Sequence, residues 1–330
     1  MIVKERNKPV HLEGVEALLR RLPTSHPKYS LIKEEAAKRT AGYKGELSLD
    51  YYFSLTEKKE AAVFHDLRLS LESQFFQIDS LYLTKEFALL IEVKNWAGSL
   101  YFDSQFSQLI RTSDGQETAF PDPLTQLSRQ EYQLKQWMAG NQISILPVHS
   151  FIVMTNPQSI LRTSPENKTL GHKVIRLEKL LSKIRQFEDT HKRQLWNDKE
   201  WKKVIRLLKK QHQDPEINAM KKFGISKEEL KKGVICLKCQ INLTSWYGRW
   251  HCPKCDQTSN VPLIQALLDY SSLISTGITN KSAREFLQIE SPYTVKRIFQ
   301  NLNLPHTGDN KGRTYHLEKN LLRERLNRLT

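Results

Sequence analysis

The sequence lacks any apolar run approaching the roughly 20 residues that a bilayer-crossing helix needs. A helical membrane protein is therefore not expected. Its opening, MIVKERNKPVHLEG, lacks the apolar core of a secretory signal, so a cytoplasmic location is expected. Cysteine is scarce: the four in 330 residues fall as two C-x-x-C pairs, which in a reducing compartment points to a metal rather than disulfides. Acid is in deficit, with 36 Asp+Glu against 51 Lys+Arg and a formal charge of +15. That excess favours a polyanionic partner such as nucleic acid. An anionic membrane surface is the weaker alternative, because no basic amphipathic anchor of sufficient hydrophobicity is evident. Internal repeats and low-complexity tracts are also missing.

What is present is enough for more than one core, since 39% of residues are hydrophobic, and the length suits two or three domains. Residues 1–37 read as a leader with a helix over 12–22. The stretch LIKEEAAKRTAGYKGELSLDYYFSL reads as one or two helices broken at Gly42 and Gly45, with Glu46 near the start of the second piece. Then AAVFHDLRLS, QFFQIDSLYL and FALLIEVKNW read as three strands of a meander. A helix over 123–138 is announced by Asp122 as N-cap and Pro123 at the first helical position. HSFIVMTN reads as a buried strand, and KVIRLEKL as a further strand leading into a helix. Basic helical sequence over 180–213 reads as a connector packed on the first domain. The expected division is a leader at 1–37, a first domain at 38–179, a connector at 180–232, a cysteine module at 233–260 and a helical tail at 261–330.

Asp79, Glu92 and Lys94 pose the chemical question. A hairpin centred on Lys85 and Glu86 places Asp79 directly opposite Glu92, with Cβ atoms roughly 5 Å apart, close enough for repulsion. Lys94 shares their face because strand side chains alternate. Two carboxylates with a backbone carbonyl, that of Val93, form a hard-oxygen site suited to Mg²⁺, and a lysine beside it can hold an attacking water. The alternative is an ordinary ion pair of Glu92 and Lys94 on the wet face of a sheet. Against it, the five residues before Glu92 are all apolar, and Asp79 is itself embedded in an apolar run.

The ordered set GYKGE (42–46), VFHDL (63–67), QID (77–79), IEVKNW (91–96) and DPLTQLSRQ (122–130) resembles the nuclease-related domain, NERD, a branch of the PD-(D/E)XK nuclease-like superfamily. The resemblance covers roughly residues 38–155. It implies an α/β fold of restriction-endonuclease type, a mixed central sheet flanked by helices and entered as α-β-β-β-α-β. It further implies that Asp79 and Glu92 bind the metal, Mg²⁺ or Mn²⁺, and that Lys94 is the catalytic lysine. Glu46 is implied as the acid from the first helix, and Gln126 as the polar residue of the helix after the strands. Arg129, near Gln126, reads as a solvated arginine with phosphate contact as the alternative.

In CLKCQINLTSWYGRWHCPKC the pairs Cys236/Cys239 and Cys252/Cys255 are separated by twelve residues. Four thiolates satisfy tetrahedral Zn²⁺ and leave no open position, so the expectation is a structural zinc ribbon, with a redox C-x-x-C as the rival. His251 reads as a bystander. Trp246, Tyr247, Arg249 and Trp250 offer either a stacking and basic surface for nucleic acid or a packing face.

Residues 262–274, 281–287 and 292–302 read as three helices, the last with Ser291 as N-cap, and LPHTGDNKGRTYHL as a hairpin. The succession resembles a winged helix-turn-helix, with a plain three-helix module as the alternative. Its expected nucleic-acid contacts are Lys296, Arg297, Gln300 and Asn301 on the third helix and Lys311 and Arg313 near the hairpin tip. Together these features predict a metal-dependent nuclease acting on DNA through accessory binding modules. The alternative is a regulatory protein whose nuclease-like domain only grips nucleic acid.

Overall fold

A computed structural model describes residues 2–56, 60–167, 170–246 and 248–329; the side chains of Trp246 and Lys311 fall outside the description. The chain forms two compact units, one of Met1–Lys8 with Arg39–Pro215 and one of Pro9–Lys38 with Glu216–Thr330. The first elements are β1 (Ile2–Lys4), α1 (Val10–Arg21) and α2 (Tyr29–Ser54). The expected break at Gly42 and Gly45 does not occur, and α2 is continuous. A glycine costs a helix only about 1 kcal/mol, which packing readily outweighs.

In the first unit β2 (Ala62–Leu71), β3 (Gln74–Leu83) and β4 (Ala88–Lys94) follow as an antiparallel meander. The chain then makes a second meander, β5 (Gly98–Asp103), β6 (Gln108–Ser113) and β7 (Gln116–Pro121). Helix α3 (Pro123–Gly140) starts as its sequence dictates, Asp122 accepting the N–H groups of Leu124 and Thr125 ahead of Pro123. After it come β8 (Val148–Met154), β9 (Ser159–Thr163), α4 (Leu170–Lys173), β10 (Val174–Arg176), α5 (Leu180–Thr190) and α6 (Asp198–Gln211).

The main sheet has the order β1-β2-β3-β4-β8-β10, antiparallel across β2–β3–β4 and parallel elsewhere. This is a mixed central sheet flanked by helices, as the sequence implies. Alternation along β4 sends Ala88 and Leu90 into one core and Leu89, Ile91 and Val93 into another. The first core is closed by Leu134 and Trp137 of α3 and Val204 and Leu208 of α6, the second by Leu49 and Phe53 of α2 and Ile184 of α5. The basic helix α6 therefore buries one apolar edge against the sheet and keeps Lys199, Lys202, Lys209 and Lys210 outward. A second sheet, β7-β6-β5-β9, shares a small core with Leu127 of α3 and with Ile152 and Met154 of β8.

In the second unit α7 (Ala219–Phe223) precedes a three-stranded sheet of β11 (Thr244–Trp246), β12 (Arg249–His251) and β13 (Thr258–Ser259). Then follow α8 (Val261–Leu273), β14 (Gly277–Thr279), α9 (Asn280–Leu287), α10 (Pro292–Asn301), β15 (His306–Thr307), β16 (Thr314–His316) and α11 (Lys319–Asn327). The small strands pair in the order β14-β16-β15. Cys236, Trp250 and Cys252 share one apolar cluster with α8, Phe286 of α9 and Phe299 of α10. At its edge Arg21 of α1 is buried and donates to Asp269 at 2.8 Å. No described helix is long and apolar enough to cross a membrane.

Candidate active site

The hairpin of β3 and β4 sets the site. Ser80 pairs with Ile91 and Leu83 with Ala88, so Asp79 and Glu92 come next in register. At this point the ladder opens. Instead of a strand carbonyl, the Val93 N–H finds Asp79 Oδ2 at 2.9 Å. Because N–H and C=O of one strand residue point to the same side, the Val93 carbonyl faces this opening too. The Lys94 carbonyl faces the other way and accepts the Thr155 N–H at 3.0 Å.

A parity break lies beside it. In β2, Phe64 and then Leu67 reach the core under α3, and in β3, Leu81 and then Ile78 do so, so simple alternation fails in both strands at once. The break centres on Asp66, whose φ of 49° is in the left-handed region that L residues seldom occupy. Asp66 Oδ1 accepts from Gln77 Nε2 at 3.0 Å.

Glu92 is buried and held at both oxygens. Its Oε1 accepts Lys94 Nζ at 2.7 Å and Gln126 Nε2 at 2.9 Å, and its Oε2 accepts Gln130 Nε2 at 3.3 Å. Gln130 is anchored in turn on the Gln77 carbonyl at 2.8 Å. These two glutamines are one helical turn apart on α3, so a single face of that helix holds the carboxylate. Lys94 Nζ also stands 3.5 Å from Gln126 Oε1. Arg129 is exposed on the same helix.

Glu46 arrives from α2 because Gly45 lets the helix close on the sheet. A Cβ on Gly45 would lie 2.6 Å from Asn95 Cβ and 2.7 Å from Thr155 Oγ1. Behind Glu46 stands Arg6, buried, donating to Glu46 Oε2 at 2.9 Å, to Asp50 Oδ1 at 3.3 Å and to Ser80 Oγ at 3.0 Å. Its Nη2 also meets His65 Nδ1 at 2.8 Å. Burial and the Arg6 and Lys4 cations push His65 down to about 3, so its ring is neutral and accepts at Nδ1. Sequence reading missed Arg6, His65, Asp66 and Gln130. His65 and Asp66 lay inside the quoted VFHDL stretch and Gln130 inside DPLTQLSRQ, whereas Arg6 carried no local signal.

The acids crowd one another. Burial raises the Asp79 carboxyl well above the usual carboxylate range, and the like charges of Glu92 and Glu46 push the same way. Burial, followed by the charge of Asp66, raises Glu46 to about 7 against the pull of Arg6. A divalent cation relieves this kind of crowding, and carboxylate with carbonyl oxygens is the donor set that Mg²⁺ or Mn²⁺ prefers.

Residues 41–155 match the nuclease-related domain, NERD. No curated protein and no solved structure matched the chain. The NERD segment takes in Glu46, Asp79, Glu92, Lys94 and Gln126 but not Arg6.

Four cysteines form the second centre. Their Sγ atoms all lie within 4.8 Å of one another, and Cys236 Sγ is 3.8 Å from Cys255 Sγ. Four sulfurs around one Zn²⁺ at about 2.3 Å stand roughly 3.8 Å apart, so the set fits that ion. Two similar turns build it. Cys236 N–H donates to Ile241 O and Gln240 N–H to Cys236 O; Cys252 N–H donates to Gln257 O and Asp256 N–H to Cys252 O. Gln240 and Asp256, each following the second cysteine of its pair, both take a left-handed φ, 58° and 57°. His251 stays outside the cluster and contacts Thr258 Oγ1 at 3.3 Å. Trp250 is buried in the unit's core and Arg249 is exposed, so of the two readings for this stretch Trp250 follows the packing one. Tyr247 and the Trp246 side chain lie outside the described residues.

On α10, Lys296, Arg297, Gln300 and Asn301 are exposed while Val295 and Phe299 are buried. Ser291 caps the helix by accepting the Thr294 N–H. Arg313 is part-buried and its Nη2 lies 3.8 Å from Asp309. The Lys311 side chain lies outside the described residues.

Proposed function

We propose that the chain is a metal-dependent nuclease that hydrolyses phosphodiester bonds in DNA. The observation that carries this reading is Glu92, a buried carboxylate next in register to Asp79 and holding Lys94 Nζ at 2.7 Å. An ion pair on a wet strand face would not need two glutamines to satisfy it. Mg²⁺ or Mn²⁺ held by Asp79, Glu92 and the Val93 carbonyl would supply Lewis acidity toward a phosphate oxygen and toward water. Lys94 holds the attacking water and stabilises charge developing on the phosphate. The water oxygen forms the new bond to phosphorus, the bond to one sugar oxygen breaks, and the proton lost by the water ends on the departing oxygen. Gln126 and Gln130 fix the Glu92 carboxylate, and Glu46, anchored by Arg6, borders the site as the third acid.

In this reading residues 38–179 are the nuclease-like domain, 180–232 the connector, 233–260 a zinc ribbon and 261–330 a winged helix-turn-helix, preceded by 1–37. The run of helix, strand, two helices and a two-stranded hairpin in α8-β14-α9-α10-β15-β16 supports the last assignment. In it Lys296, Arg297, Gln300, Asn301, Lys311 and Arg313 contact nucleic acid in the cytoplasm, and the domain delivers substrate.

The test is incubation of purified protein with plasmid and single-stranded DNA, with and without Mg²⁺ or Mn²⁺, beside Glu92→Ala and Lys94→Ala. Metal-dependent cleavage lost in both variants supports the proposal; cleavage surviving both points to another site or a contaminant. Arg6 favours a second reading, because it already neutralises one acid of the set. On that reading the protein grips nucleic acid without turnover, and the same assays give salt-sensitive binding and intact DNA.

A further inference from the structure

The second unit holds a cleft that the nuclease chemistry does not use. It has a volume of about 620 Å³ and is lined by Ser245, Gly248 and Trp250, by the start of α8, by one face of α10 and by the end of α11. That size is within the roughly 300–1,000 Å³ of small-ligand sites. Its floor is apolar, from Trp250, Ile264 and Ile298, and its walls carry Arg297, Arg325 and Arg328. Among the described residues no carboxylate pairs with any of the three guanidinium groups.

A further observation points to an occupant. Helix α10 divides its polar residues between two faces. Thr294, Arg297 and Asn301 line the cleft beside apolar Ile298, while Lys296 and Gln300 face solvent elsewhere.

The geometry points to a binding site for one nucleotide unit. A base lies on the apolar floor, and a phosphate meets the arginines, whose planar donors suit phosphate oxygens. Three cations around an apolar floor select an anion with a flat apolar body over a bare anion. The unit comes either as a free nucleotide or as one residue of a single strand.

Isothermal titration of the zinc-loaded 330-residue chain without added Mg²⁺ or Mn²⁺ reads this binding independently of cleavage. The titrants are adenosine 5′-monophosphate, inorganic phosphate and a six-nucleotide single-stranded DNA. Variants are Arg325→Gln with Arg328→Gln, and Lys209→Gln with Lys210→Gln as a charge-matched control on α6, where both lysines are exposed. The expected result is one-to-one binding weakened at least tenfold by the arginine pair, with the control unchanged. Binding of the mononucleotide identifies a free ligand, and binding of the oligonucleotide alone identifies a strand. No binding of either, equal binding of phosphate and nucleotide, or an equal loss in the control overturns the proposal. Since no step depends on Asp79 or Glu92, an inactive nuclease site leaves this result standing.

Discussion

Gln126 Nε2 and Lys94 Nζ converge on the same oxygen of Glu92, at 2.9 and 2.7 Å. The amide fixes the carboxylate without adding charge, so its removal frees Glu92 to rotate. Gln126→Ala is expected to lower metal-dependent cleavage about 10–100-fold, the usual cost of losing a ligand's orienting partner. Gln126→Glu adds a fourth acid to the crowd and is expected to do worse in the same assay, with single-turnover rates as the readout.

Glu46 sets a pH dependence. Its carboxyl rises from an ordinary 4.5 to about 7 in the folded protein, so between those values the folded state holds the proton more tightly than the unfolded chain. The stability this contributes is complete below the unfolded value and is lost as pH rises through about 7. Thermal melts of metal-free protein from pH 5 to 8 are expected to fall more for wild type than for Glu46→Gln. Parallel curves for the two would sink the assignment.

The two glycines of α2 make opposite predictions. Gly45→Ala collides with Asn95 and Thr155 and is expected to cost about 1–3 kcal/mol while displacing Glu46. Gly42→Ala meets nothing within 4 Å and is expected to gain about 0.5–1 kcal/mol from helix propensity. Urea midpoints of the two variants check both signs.

The cysteine centre is expected to hold one zinc per chain, measured by atomic absorption. Cys236 and Cys252 are buried in the cluster that also contains α8 and α10, so losing the ion loosens more than a surface loop. Cys252→Ser is expected to lose the zinc and to expose residues 216–330 to limited proteolysis while the first unit stays resistant.

Much of this was legible where local rules act alone. The hairpin register followed from where polar Lys85 and Glu86 interrupt apolar sequence, and the start of α3 from Asp122 before Pro123. The second meander, β5 to β7, was not foreseen, because few of its residues are buried and its strands carry little apolar alternation. Alternation also misleads at Asp66, since a left-handed residue inside a strand leaves no periodic trace. Arg6 was invisible for another reason. Nothing in its neighbourhood marks it, and its partners lie 40 to 74 residues away.

That last residue changes how the molecule should be cut for experiments. A clone trimmed to residues 41–155 retains every acid of the proposed centre yet discards the guanidinium that fastens helix to sheet beneath it. Silence from such a fragment would report a missing brace, and only material that begins ahead of Arg6 gives the chemistry a fair trial.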